Sequence, residues 1–181
     1  GNIAFPIYTD FRRWIQFELI MEDRTIRPED KFVQVIGTCF VIDEKTKLPP
    51  NAISMVDALC TFYIGANQSE GKGGTETKAK RIYSFDDDAE YIYTAFLTQY
   101  GIDLLDIEYL HWWKFLAMFK SLNSEHNISQ IMEWRSADLS QIKDNERRKF
   151  YSKMKRIYRL KDNRTEEEKQ RDMIDGLSSL F

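Results

Sequence analysis

Apolar positions recur every three or four residues in seven stretches of this chain, with prolines, glycines and polar clusters between them, and that period predicts helices. Phe11, Trp14, Ile15, Leu19 and Met21 form the stripe of the first, which Thr9 or Asp10 caps and which ends near Glu22. Pro28 opens the second, with Glu29 and Asp30 at its dipole-positive end, and it runs to about Val41. Its Val33, Val35 and Ile36 also suit a strand over 33–42, and helix is the preferred reading. Pro49 and Pro50 start a third helix through Ile53, Val56, Leu59, Cys60, Tyr63 and Ile64, ending near Gly65.

Ser84, followed three residues later by Asp87, reads as a capping box and starts the fourth helix. Ala89, Ile92, Tyr93, Phe96, Leu97 and Tyr100 make its buried stripe, and Gly101 stops it. Asp103 or Asp106 then caps a fifth helix from about Ile107 to Leu122, apolar nearly all round, so it is central to the core or shared with a partner. A short sixth helix starts at Asn127 or Ser129 and carries Ile131, Met132 and Trp134, after which Arg135 to Leu139 reads as a turn. The seventh, about Asp144 to Leu160, buries Phe150, Tyr151, Met154, Ile157 and Tyr158 and turns its cations outward.

Residues 67–81 contain no large apolar side chain and include Gly71, Gly73 and Gly74, a composition that predicts a mobile loop. The expected architecture is therefore all-α. It is a single helical domain over 1–162, followed by a helical or frayed tail over 163–181.

Composition narrows the function classes. With 181 residues, 43% hydrophobic and 30% charged, the chain has enough apolar surface for one core and too much for wholesale disorder. Its net charge of −3 gives no general pull toward nucleic acid. Cys39 and Cys60 stand apart with only His111 and His126 as companions, which predicts free thiols in a reducing cytoplasm and no zinc site. No stretch approaches the ~20 apolar residues of a membrane span.

No enzyme signature is present. Gly71-Lys72-Gly73-Gly74 lacks the residue order of a phosphate loop. Asp86, Asp87 and Asp88 point about 100° apart on a helix and cannot converge on one ion unaided, so a metal site is disfavoured. His111 has no sequence-local nucleophile and reads as a core or boundary residue. No catalytic residue, metal ligand or cofactor is expected.

Charge is segregated instead. The acids Asp86, Asp87, Asp88, Glu90, Asp103, Asp106 and Glu108 have no base among them, while Arg147 to Lys161 holds eight bases and no acid. This suggests electrostatic partner contacts through Asp86, Asp87, Asp88, Arg147, Arg148, Lys149, Lys155 and Arg156, with pairing between copies that should weaken in salt. Nucleic-acid binding by the basic helix is the weaker alternative, because Tyr151 and Tyr158 are already needed in its apolar stripe. Trp112 and Trp113 could be core or interface anchors.

Three blocks, YTDFRRWIQFELIMED at Tyr8 to Asp23, YSFDDDAEYIYTAFLTQYGIDLLDIEYLHWWKFLAMFKSL at Tyr83 to Leu122, and IMEWRSADL with ERRKFYSKMKRIYRL, carry a resemblance across about Tyr8 to Leu160. The sequence resembles a small protein family of siphophages and prophages of Gram-positive bacteria, encoded just before the tape measure protein. That resemblance implies a tail assembly chaperone, which coats the apolar tape measure helix, keeps it soluble and helps recruit tail tube subunits. Its setting would be the host cytoplasm, and it would be absent from the finished virion. On this chain the apolar contact is expected from Tyr109, Trp112, Trp113, Leu116 and Phe119. A structural part of the mature tail or its tip, and a nucleic-acid-binding or host-directed phage protein, are the alternatives.

Overall fold

Asp10 starts the first helix, because its Oδ1 accepts the Arg12 N–H at 3.0 Å and satisfies one of the unpaired first-turn donors. Its Oδ2 also takes the N–H of Leu110, far along the chain. α1 spans Phe11–Glu22, α2 Pro28–Cys39, α3 Ala52–Ile64, α4 Ala89–Tyr100, α5 Trp112–Lys120, α6 Asn127–Ser136 and α7 Asn145–Ile157, with a 3-10 turn at Leu139–Gln141. The computed structural model describes residues 5–42, 52–65 and 81–162, with side chains in α3 from Met55 onward. All of the predicted loop except Arg81, the prolines expected to open α3, and the tail from 163 lie outside the described residues.

The all-α expectation holds. Among the described residues the only β pairing is two isolated bridges, Ile7 with Phe40 and Asp10 with His111. The segment read as helix or strand is α2, and Phe40 just after it makes the bridge. No helix of the described residues is long and apolar enough to cross a membrane.

The core is a stack of rings around Phe115 of α5. Phe115 lies 4.9 Å from Phe11 of α1 and 5.0 Å from Phe96 of α4, each pair close to parallel, and 5.7 Å from Trp112. Trp14, Phe96, Trp112 and Phe115 are fully buried. Each such pair adds about 0.5–1.5 kcal/mol beyond its area burial, so α1, α4 and α5 form one unit. α2 packs on α1, α6 packs on α4, and α7 forms an outer layer on α6.

Several expected boundaries and faces change. In α1 it is Phe17 and Ile20 that are buried, while Met21 is exposed, because α1 is covered by α2 on one side and α5 on another. α5 starts at Trp112 and not near Ile107. Residues 107–110 are irregular, with a bend at Glu108, and are held by Arg12, whose guanidinium donates to the carbonyls of Leu104 and Ile107. Asp103 accepts the N–H groups of Leu105 and Asp106 in a tight turn, and His111 Nδ1 caps α5 by accepting the Trp113 N–H at 3.1 Å. Gly101 does stop α4, with φ at +64°, a conformation that costs glycine little.

The capping box before α4 closes differently from its expected form. Ser84 Oγ accepts the N–H groups of Asp86 and Asp87, but the carboxylate that reaches back to the Ser84 N–H is that of Asp88, at 2.9 Å. Arg135, expected in a turn, is the buried penultimate residue of α6. It forks onto Asp88 at 2.6 and 2.9 Å and donates to the carbonyls of Ile82 and Tyr158. This one side chain joins α6 to the start of α4 and the end of α7.

Candidate partner-binding surfaces

The adjacent tryptophans of α5 divide the work that the sequence assigned to them jointly. Neighbouring residues on a helix point about 100° apart, so Trp112 enters the core while Trp113 stays 40% exposed. Both indoles donate to the end of α3: Trp112 Nε1 to the Tyr63 carbonyl at 2.9 Å and Trp113 Nε1 to the Phe62 carbonyl at 2.8 Å. Helix ends leave carbonyls without intrahelical partners, and here two consecutive indoles satisfy them. Trp113 also stacks on Phe62 at 4.7 Å, and the edge of His111 lies 5.3 Å away. The result is a rigid aromatic shelf. Such a shelf loses little side-chain entropy when covered.

The five residues expected to share one apolar contact face are therefore separated. Trp112 and Phe119 are buried and cannot meet a partner without unfolding the core. Leu116 is half-buried against it. Tyr109 precedes the helix, is exposed, and bonds through its hydroxyl to Thr9 at 2.7 Å. Trp113 is the one residue of the set that both lies in α5 and is exposed. Phe62 was missed as its partner because no sequence spacing links α3 to α5.

The expected acidic contact is also redistributed. Asp88 is spent inside the molecule on Arg135 and Ser84. Asp87 is largely covered by Lys161, which approaches it through both its backbone N–H, at 3.1 Å, and its ammonium, at 2.9 Å. Only Asp86 is well exposed, with the Lys161 ammonium 3.8 Å away. Of the expected cations, Lys155 donates to the Ala137 carbonyl and Arg147 lies over the Tyr151 ring, 5.4 Å from its centre. Arg148 bonds to Asn145, Lys149 pairs with exposed Glu146, and Arg156 makes no ion pair among the described residues.

One further acid, Glu18, is buried in the core. Glu18 of α1 accepts the Tyr63 hydroxyl, and the Tyr83 phenol lies near enough to both to interact with them. Burial pushes the Glu18 carboxyl up to about 7, against a smaller downward pull from the Tyr63 hydrogen bond. Burial raises the Tyr83 phenol to about 12. One turn on, Glu22 pairs with Arg81 at 2.9 Å, and burial lifts its carboxyl too. Cys39 is buried, with its thiol pushed up to about 12, and Cys60 is half-buried, so neither is an activated nucleophile. Among the described residues no three His, Cys, Asp or Glu side chains are placed to hold a metal ion.

A family model described as bacteriophage Gp15 protein matches residues 2–160. The chain belongs to this family. The Gp15 match takes in the seven helices of the described residues, the Trp113 shelf and the Asp88–Arg135 clamp. No curated protein and no solved structure matches the chain.

Proposed function

We propose that this Gp15-family protein is a tail assembly chaperone, which binds and solubilises the tape measure protein and helps recruit tail tube subunits in the host cytoplasm during tail morphogenesis. The observation that carries the reading is the Trp113 shelf. It is an aromatic surface locked by an indole hydrogen bond and ring stacking, and it is suited to the apolar stripe of a long helix. Each contact would be small. Many copies along one client would mask its stripe collectively, and tube subunits could still displace them one at a time. The resemblance of the Tyr8–Asp23 and Tyr83–Leu122 blocks to phage proteins encoded before the tape measure gene supports the same role.

Co-expression with a tape measure fragment and a tail tube protein, followed by affinity capture, tests it. The wild type should retain the tape fragment, and Trp113→Ala should lose it with the helical circular dichroism unchanged. Trp112→Ala is the wrong probe, since that indole is core. Capture of neither protein, or capture indifferent to Trp113, would overturn the reading. The chaperone should also be missing from purified virions by mass spectrometry.

A further inference from the structure

Two surfaces outside the Trp113 shelf have matching composition and opposite charge. The first is the turn between α4 and α5. Asp103 fixes it from within, accepting the Leu105 N–H at 2.9 Å and the Tyr93 hydroxyl at 3.2 Å, while Arg12 holds its carbonyls and Leu104 is buried beneath it. This rigid turn presents Leu105, 82% exposed, beside the exposed carboxylates of Asp106 and Glu108. Neither carboxylate has an ion pair among the described residues.

The second is the outer face of α7. Phe150 and Ile157, two turns apart, are 47% and 55% exposed and form an apolar edge that continues into Trp134 of α6, 6.0 Å from Phe150. Helical spacing places Lys153 next to that edge and Lys149 and Arg156 just beyond it. Lys149, Lys153 and Arg156 line a shallow groove of about 490 Å³ with Leu139. Lys153 and Arg156 have no ion pair among the described residues.

We infer that the Leu105–Asp106–Glu108 turn of one copy docks on the α7 face of a second copy. Leu105 covers the Phe150–Ile157 edge, and the two carboxylates meet Lys149, Lys153 and Arg156. An apolar edge bordered by cations fits an apolar residue bordered by acids. A nucleic-acid backbone would use the cations and leave Ile157 and Phe150 uncovered. The two surfaces differ, so the contact is head-to-tail and leaves an unused surface of each kind at the ends, which builds a ring or an open chain. It replaces the pairing expected through Asp86, Asp87 and Asp88, of which Asp87 and Asp88 are engaged within the molecule. The contact needs no tape measure protein, so its failure and that of the client reading are separable.

Sedimentation velocity of the full chain over a concentration series tests it. The wild type should associate at low salt and dissociate in 0.5 M NaCl, on the order of one Debye length becoming a few ångströms. Lys153→Glu with Arg156→Glu should weaken association about tenfold or more, as should Asp106→Lys with Glu108→Lys. An equimolar mixture of the two variants should restore it, because each reversed surface then meets its complement. Leu105→Ser should weaken association with no change of charge. A wild type that stays monomeric at every concentration, or variants that associate as the wild type does, would overturn the inference. So would a mixture of folded variants that fails to recover, or α7 binding of a duplex DNA probe without self-association.

Discussion

Phe115 of α5 is fully buried and stacks on rings from α1 and α4, whereas Phe150 of α7 is half open to solvent and meets Trp134 edge-on. In sequence α5 is apolar nearly all round, and α7 carries one stripe of five apolar residues among cations. The difference extends to what covers them: among the described residues α5 has neighbours on several sides, and α7 packs mainly on α6 and the 3-10 turn. Only Tyr151 of α7 is buried, so its expected stripe of five is an inner edge of Tyr151, Met154 and Tyr158 and an outer edge of Phe150 and Ile157. Apolar packing holds the inner region, and a polar clamp carries much of the outer one. Where packing is thin, the exposed remainder is available for partners.

The strongest way to break this contrast is to damage each region by its own route. Phe115→Ala and Arg135→Ala should each cost about 3–5 kcal/mol in urea unfolding, the first by leaving a cavity and the second by stranding the buried Asp88 charge. Phe115→Leu should recover most of the loss. Arg135→Lys should not, because an ammonium cannot fork onto both carboxylate oxygens while reaching two carbonyls. Hydrogen exchange should show α7 losing protection before α1 in Arg135→Ala. Equal loss everywhere would mean the two regions are one cooperative unit.

A smaller effect sharpens the inner region. The Glu18 carboxyl binds its proton more tightly folded, at about 7, than unfolded, at its ordinary 4.5. Stability from this group is therefore highest below about 4.5, falls as pH rises through that window, and levels off above about 7. Glu18→Gln keeps the acceptor for Tyr63 and removes the charging penalty. It should raise stability at pH 8 by about 1–3 kcal/mol and flatten the profile between pH 5 and 7, read by thermal melts at each pH. A destabilised variant at pH 8 would show that the charged form is held by Arg81 and the tyrosines. The smallest effect belongs to the outer edge: Ile157→Ser should change unfolding free energy by no more than about 0.5 kcal/mol.

Helix positions were legible wherever a stop or start is local. Asp10, Pro28, Gly101 and Asp144 each mark a boundary by their own chemistry, and the structure uses all four. The start of α5 was not legible, because what holds 107–110 outside the helix is Arg12, more than ninety residues away in the chain. The buried charges were hidden by treating charge as a mark of surface. Glu18 stands four residues after Trp14, Arg135 four after Ile131, and Asp88 four before Ile92, so each falls on a buried stripe. Periodicity extended to charged residues would have found them. The Trp113–Phe62 pair had no such signal, since only tertiary packing brings α3 to α5.

Glu18 and Glu22 also set what the chain tolerates between α3 and α4. Tyr63, just before residues 66–80, is tied to Glu18, and Arg81, just after them, is tied to Glu22. One acidic turn of α1 thus fastens both banks of that segment and fixes their separation independently of what runs between. The contacts that fasten the two ends use none of residues 66–80. The segment is therefore an engineering port. An epitope or a fluorescent domain spliced in near Gly73 would report on assembly in infected cells while the ring stack around Phe115 stays as it is.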